Sequence, residues 1–225
     1  MTGRDARRKG PPNRENYAVG MDREIARWAK ADRVPTLLLH ACCAPCSSAV
    51  LEAICAHFDV TIYFYNPNIL PENEFRTRER ELRRLLVEMP LARPVNLVVP
   101  PYDPQAYLEI ARGHEADPEG GERCRLCYRL RMEATAKRAR IEGYDYFCTT
   151  LSVSRRKNAD WINAIGRELE AEYGVRWLPS DFKRRDGEVR SCALSRTYGL
   201  YRQDFCGCPY SMAERDLRNA SAGNG

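Results

Sequence analysis

Residues 36–65 read TLLLHACCAPCSSAVLEAICAHFDVTIYFY. Thr36–His40 is a continuous apolar run closed by a histidine, the pattern of a strand buried on both faces. A short loop carrying Cys42, Cys43 and Cys46 follows. From Ser47 the period becomes helical, with Val50, Ile54 and Phe58 on one face. Val60–Tyr65 is a second strand, stopped by Asn66-Pro67-Asn68. Strand, helix, strand implies parallel pairing through a right-handed crossover.

The alternation continues downstream. Glu72–Met89 is a charged amphipathic helix with Phe75, Leu82, Leu85 and Leu86 inward, and Val95–Val99 a third strand. Pro104–Arg112 and Cys124–Glu142 read as helices, Tyr144–Thr150 as a fourth strand, Asn158–Tyr173 as a helix and Val175–Leu178 as a short fifth strand. This predicts an α/β fold with a doubly wound, mostly parallel sheet. Such sheets bind ligands beyond the carboxyl ends of their strands, where the Cys42–Cys46 loop falls.

At 225 residues the chain fits one compact domain with appendages. Residues 1–20, basic and polar with Pro11-Pro12, predict a flexible arm, and Tyr17–Lys30 a short helix capping the body. Residues 21–215 form a single α/β catalytic domain with a cysteine-rich, metal-binding C-terminal segment, and 216–225 a disordered tail. With 44% hydrophobic and 30% charged residues the composition is globular. No apolar run reaches the length of a membrane span, and the basic N-terminus lacks the apolar stretch of a secretory signal. The expectation is a cytoplasmic protein without a membrane partner. A net charge of +5 permits a nucleic-acid partner.

Ten cysteines in such a chain point to metal or redox chemistry rather than disulfides. Seven of them cluster: Cys42, Cys43 and Cys46; Cys124 and Cys127; Cys206 and Cys208. In Cys124-x-x-Cys127 two thiolates can converge on one metal, at a helix start whose dipole favours thiolate. Gly207 permits the sharp turn that presents Cys206 and Cys208 to one side. One zinc ion or cubane cluster takes four protein ligands at most, so seven thiolates leave three for a second ion with an open position. Cys55 and Cys148 fall at core positions. Cys192 falls in a polar loop. His40 ends the first strand beside the cysteine loop, where it could support the metal ligands; a packed strand-end histidine is the plainer reading.

Together Leu38–Cys46 (LLHACCAPC), Tyr63–Ile69 (YFYNPNI), Gly121–Leu130 (GERCRLCYRL), Thr149–Leu151 and Leu200–Cys208 (LYRQDFCGC) resemble the QueH family of epoxyqueuosine reductases, over about residues 34–211. The resemblance implies an adenine-nucleotide α-hydrolase-like (HUP, Rossmann-like) fold. It implies an oxidoreductase acting at the last step of queuosine biosynthesis, where the cyclopentane epoxide of epoxyqueuosine at the tRNA wobble position becomes the cyclopentene. It also implies a [4Fe-4S] cluster beside a second, mononuclear metal ion, taken as iron, and an electron donor. The last position of the family's Cys-Cys-x-Pro-x motif can be acidic; here it is Cys46.

The reduction needs a general acid, and Asp145, Tyr201 and Asp204 are candidates by sequence proximity. For tRNA the candidates are Arg155, Arg156 and Lys157 after the fourth strand and Lys183, Arg184 and Arg185 after the fifth. Solvated charge is the plainer reading of both runs. Tyr65, Asn66, Asn68 and Phe75 could stack on or hydrogen-bond a splayed base. Two other classes remain open. An ATP-dependent PP-loop tRNA-modifying enzyme would carry a Gly-rich loop after the first strand, whereas His40–Cys46 holds no glycine. A non-catalytic, zinc-stabilised RNA-binding module would be colourless.

Overall fold

A computed structural model describes residues 15–222. Helix α1 (Tyr17–Trp28) precedes a five-stranded sheet: β1 (Thr36–His40), β2 (Asp59–Tyr63), β3 (Asn96–Val98), β4 (Tyr146–Thr149) and β5 (Arg176–Trp177). All pairs are parallel, in the order β3-β2-β1-β4-β5. The chain leaves β1 toward one edge and returns through β4 toward the other, so β1 and β4 flank the switch point at which doubly wound sheets open a crevice. Helices α2 (Ala44–Ile54), α3 (Glu72–Glu88), α4 (Gln105–Ala111), α5 (Glu122–Glu142) and α6 (Ala159–Tyr173) make the crossovers. Helix α2 packs against α3 and against α7 (Gly187–Thr197), and α5 against α6. Leu37, Leu38, Leu39, Val60, Ile62 and Phe147 are fully buried between these layers, which is why β1 carries no polar residue between Thr36 and His40.

Four expectations need correcting. Helix α2 starts at Ala44, three residues before Ser47. Cys43, in extended backbone, is its N-cap, and Pro45 fills the first turn, where a missing N–H costs no intrahelical bond. Cys46 is therefore helical. The expected loop around Cys192 is helix α7, whose hydrophobic periodicity is weak because one flank faces a cavity. The expected disordered tail from 216 is helical to Ala222, as part of α8 (Pro209–Ala222). The expected helix over Tyr17–Lys30 is α1, so the arm set at 1–20 ends before Tyr17; its residues 1–14 lie outside the described residues.

Candidate metal centre

The cysteine groups come from four places in the fold. Cys42 and Cys43 leave β1, and Cys46 stands in the first turn of α2. Cys124 and Cys127 stand in the first turns of α5. Cys206 and Cys208 flank Gly207 ahead of α8. The sulfurs of Cys42, Cys43 and Cys46 all lie within 4.8 Å of one another, with Cys42 and Cys43 3.8 Å apart. Cys124, Cys127, Cys206 and Cys208 influence one another electrostatically from a wider spacing. Among the described residues no trio of these four closes to 4.8 Å. All seven are free thiols.

Local backbone explains how these sulfurs are presented. Gly120 adopts φ +91° and turns its N–H onto Cys124 Sγ at 3.2 Å. Gly207, at φ +119°, lies so close to Arg78 and Ile69 that a Cβ there would sit 3.1 Å from Arg78 Nη1 and 3.0 Å from Ile69 Cγ1. Arg78, buried on α3, donates from Nη1 to the Cys206 carbonyl at 3.0 Å and from Nε to Glu74 at 2.7 Å. A buried arginine thus stitches the Cys206–Cys208 turn to the helix after β2.

Two further cations face the sulfurs. Arg131 lies four residues after Cys127 and seven after Cys124, on the same face of α5. It is 1% exposed, its Nε donates to the Cys127 carbonyl at 3.1 Å, and its Nη2 has no partner. Lys157, in the loop before α6, is 9% exposed and donates from Nζ to Cys206 Sγ at 3.1 Å. Burial opposes the charge on Lys157, but Cys206, Tyr128 and Glu119 outweigh it and hold its pKa well above the ordinary lysine value.

The thiol trio shares its charge unevenly. Hydrogen bonds from Cys43 and Cys46, with Arg131 nearby, hold Cys42 well below the ordinary thiol range. The bond to the Cys42 thiolate pushes Cys43 up to about 12. Burial is the main cause that pushes Cys127 up to about 12, against the pull of Arg131. His40 is fully buried between the Thr149 hydroxyl at Nδ1 (2.8 Å) and the Tyr65 carbonyl at Nε2 (3.2 Å). Burial holds it neutral, with a pKa of about 3, so it acts as a packed strand-end residue.

A cavity of about 280 Å³ opens onto these groups. Cys42, Cys46, Cys206, Arg131 and Lys157 line it, with Glu119, Ser154, Glu188, Cys192, Arg202 and Asp204 around them. Its walls come from the segments after β1 and β4, so it occupies the switch point. A thiolate-bound metal group fits these residues. Arg131 is a buried guanidinium with no carboxylate at ion-pair distance among the described residues, and an uncompensated buried charge costs several kcal/mol. Sulfurs that become anionic on binding metal supply the missing counter-charge.

The expected site residues divide. Cys55 is buried core, raised to about 11 by burial, and Cys148 is buried against the Leu178 carbonyl, as expected. Asp145 is not at the site. It precedes β4 at the amino end of the sheet, where it accepts from both Arg33 Nη atoms at 2.7 Å and from the Thr36 backbone N–H at 2.8 Å. Tyr201 lies outside the cavity lining, its hydroxyl on Glu74 at 2.9 Å. Asp204 does line the cavity, ion-paired with Arg215 at 2.6 Å.

Lys157, expected on the RNA surface, is instead buried against Cys206. Arg155 and Arg156 are exposed, paired with Glu188 and Glu119. Lys183 and Arg184 pair with Asp181, and Arg185 with Asp22 on α1. Asn66 and Asn68 are 1% exposed and Phe75 is packed between Phe64 and Tyr102, so these three build the loop after β2 and its core. Sequence reasoning missed Arg78, Arg131 and Cys192. Arg131 was discoverable, because its spacing from Cys124 and Cys127 places it on their helix face. Arg78 carried no such mark.

The fold and the site define a doubly wound α/β protein whose switch-point cavity is lined by thiols able to hold a metal. Residues 37–214 match the family model described as "Epoxyqueuosine reductase QueH". Proteins named epoxyqueuosine reductase QueH from Streptococcus pyogenes serotype M1, Staphylococcus epidermidis and Thermotoga maritima are 37%, 35% and 33% identical to it. The alignments cover 89%, 90% and 82% of this chain and 80%, 87% and 94% of those relatives. The chain belongs to the epoxyqueuosine reductase QueH family.

Proposed function

We propose that this chain is an oxidoreductase that reduces epoxyqueuosine in tRNA to queuosine, with a thiolate-held metal cofactor at the switch-point cavity. The observation that carries the reading is the close trio of Cys42, Cys43 and Cys46 beside a cavity that Cys42, Cys46, Cys206 and the buried Arg131 line, in a chain of this family. Turning the epoxide into an alkene breaks two C–O bonds, consumes two electrons and two protons, and releases water. The electrons come from a separate electron donor.

The sulfur spacing supports a division of ligands. A tetrahedral ion with sulfur ligands at about 2.3 Å sets neighbouring sulfurs about 3.8 Å apart. Cys42 and Cys43 stand at 3.8 Å, so Cys42, Cys43 and Cys46 suit a single ion with one open position. Cys124, Cys127, Cys206 and Cys208, which influence one another electrostatically, are the four thiols left for a [4Fe-4S] cluster, with iron also at the single site. When bound, such a group supplies single electrons and a Lewis acid for the epoxide oxygen.

The remaining work belongs to the chain. Arg131 and Lys157 balance the negative charge of the sulfurs. The segments after β1 and β4 form walls of the cavity. Asp204, Glu188 and Glu119 line it and are the candidate carboxylates for handing protons to a substrate seated there. Arg155, Arg156, Lys183 and Arg184 stand on the same side of the sheet, where a nucleic-acid backbone would pass.

The test is anaerobic purification with iron and sulfide analysis, followed by incubation with reductant and epoxyqueuosine-containing tRNA and nucleoside mass spectrometry. Brown protein and conversion to queuosine are expected. Colourless protein holding only zinc, without conversion, overturns the reading.

A further inference from the structure

Lys157 is separated from the residues with which it was expected to work. Arg155 and Arg156 point to solvent, while the third member of the same run turns inward and is 9% exposed. Its ammonium stands 3.1 Å from Cys206 Sγ and 3.5 Å from Glu119, with the Tyr128 ring 5.9 Å away. The sulfur is the closer partner, and Glu119 is shared with Arg156. Burying a lysine side chain forfeits rotamer freedom and hydration. An exposed loop cation would incur neither cost, so the inward turn needs an anion that stays in place.

We propose that Lys157 is a positioning residue for the metal cofactor: its charged N–H···S bond fixes the Cys206 thiolate and raises the reduction potential of the group that the sulfur holds. A positive charge and a hydrogen bond at a ligand sulfur stabilise the more negative, reduced state. Lys157 lines both the thiol cavity and a neighbouring one of about 370 Å³ lined by Arg155, Lys183 and Arg184. It therefore forms the wall between the cofactor and the basic surface rather than part of that surface.

The inference rests on the proposed function, and the experiment separates the two. Anaerobically loaded wild type, Lys157→Arg, Lys157→Gln and Lys157→Met are compared for iron and sulfide content, then for midpoint potential by EPR-monitored titration without RNA. The expected potentials fall in the order wild type and Arg, then Gln, then Met, at equal metal content. If Met fails to load, the Gln–Arg comparison decides. Wild-type potential in every loaded variant overturns the inference. So does a Gln or Met variant that only weakens tRNA binding. A wild type with no redox-active metal sinks the proposed function itself.

Discussion

Asp145 shows how a carboxylate near a strand can be wholly structural. Its oxygens accept from the Arg33 fork, the Thr36 N–H and the Thr36 hydroxyl, and it ties the start of β4 to the start of β1. The Arg33 fork is the main cause that lowers its pKa to about 2, against burial, which raises it. The sign follows directly: the folded value lies below the unfolded one. Its stabilisation is therefore complete above about pH 4 and lost as pH falls toward 2. Asp145→Asn should lower stability at pH 7 by about 1–2 kcal/mol. It should also flatten the pH dependence of urea denaturation between pH 4 and 2, with metal content unchanged. A variant that loses metal would return Asp145 to the site. The same scale explains why the placement of Lys157 was not legible. An Arg-Arg-Lys run carries no sequence mark for which member turns inward, because that depends on a sulfur 49 residues away in the chain.

At the scale of elements, β1, β2 and the helices between strands were legible because buried parallel strands have an unmistakable apolar run. Helix α7 was not, since its residues divide between α2 and the cavity and no apolar stripe results. The turn at Cys206–Cys208 was legible through Gly207 alone. Its φ of +119° strains any side chain there, and a Cβ would force the buried Arg78 and Ile69 to give by a few tenths of an ångström. Gly207→Ala should therefore displace the turn and lower metal content as far as Cys208→Ser does, although it removes no ligand. Circular dichroism should show the fold retained, because the sheet core lies elsewhere. Full metal content in Gly207→Ala would mean that the turn adapts without cost. Cys55→Ser, a substitution in the core, should keep its metal.

At the scale of the whole molecule, the strand order brings every thiol segment to one end of the sheet, and the two basic runs end up beside them. That placement was legible, since both runs follow strands; the burial of Lys157 and the ion pairs of the others were not. The net charge of +5 is too small to hold a polyanion by a global field, so the proposed RNA binding has to rest on local charge. Arg155, Arg156, Lys183 and Arg184 face carboxylates in the free protein, and each can exchange that partner for a phosphate. Replacing all four with alanine, while leaving Lys157, should weaken tRNA binding. It should also flatten the dependence of log K on log salt by about 0.7 for each single-strand phosphate no longer neutralised. Metal content and midpoint potential should not move, because none of the four touches a sulfur. Filter-binding titrations at several salt concentrations measure both affinity and slope. An unchanged slope would place the RNA on another face, such as that of the basic helix α5.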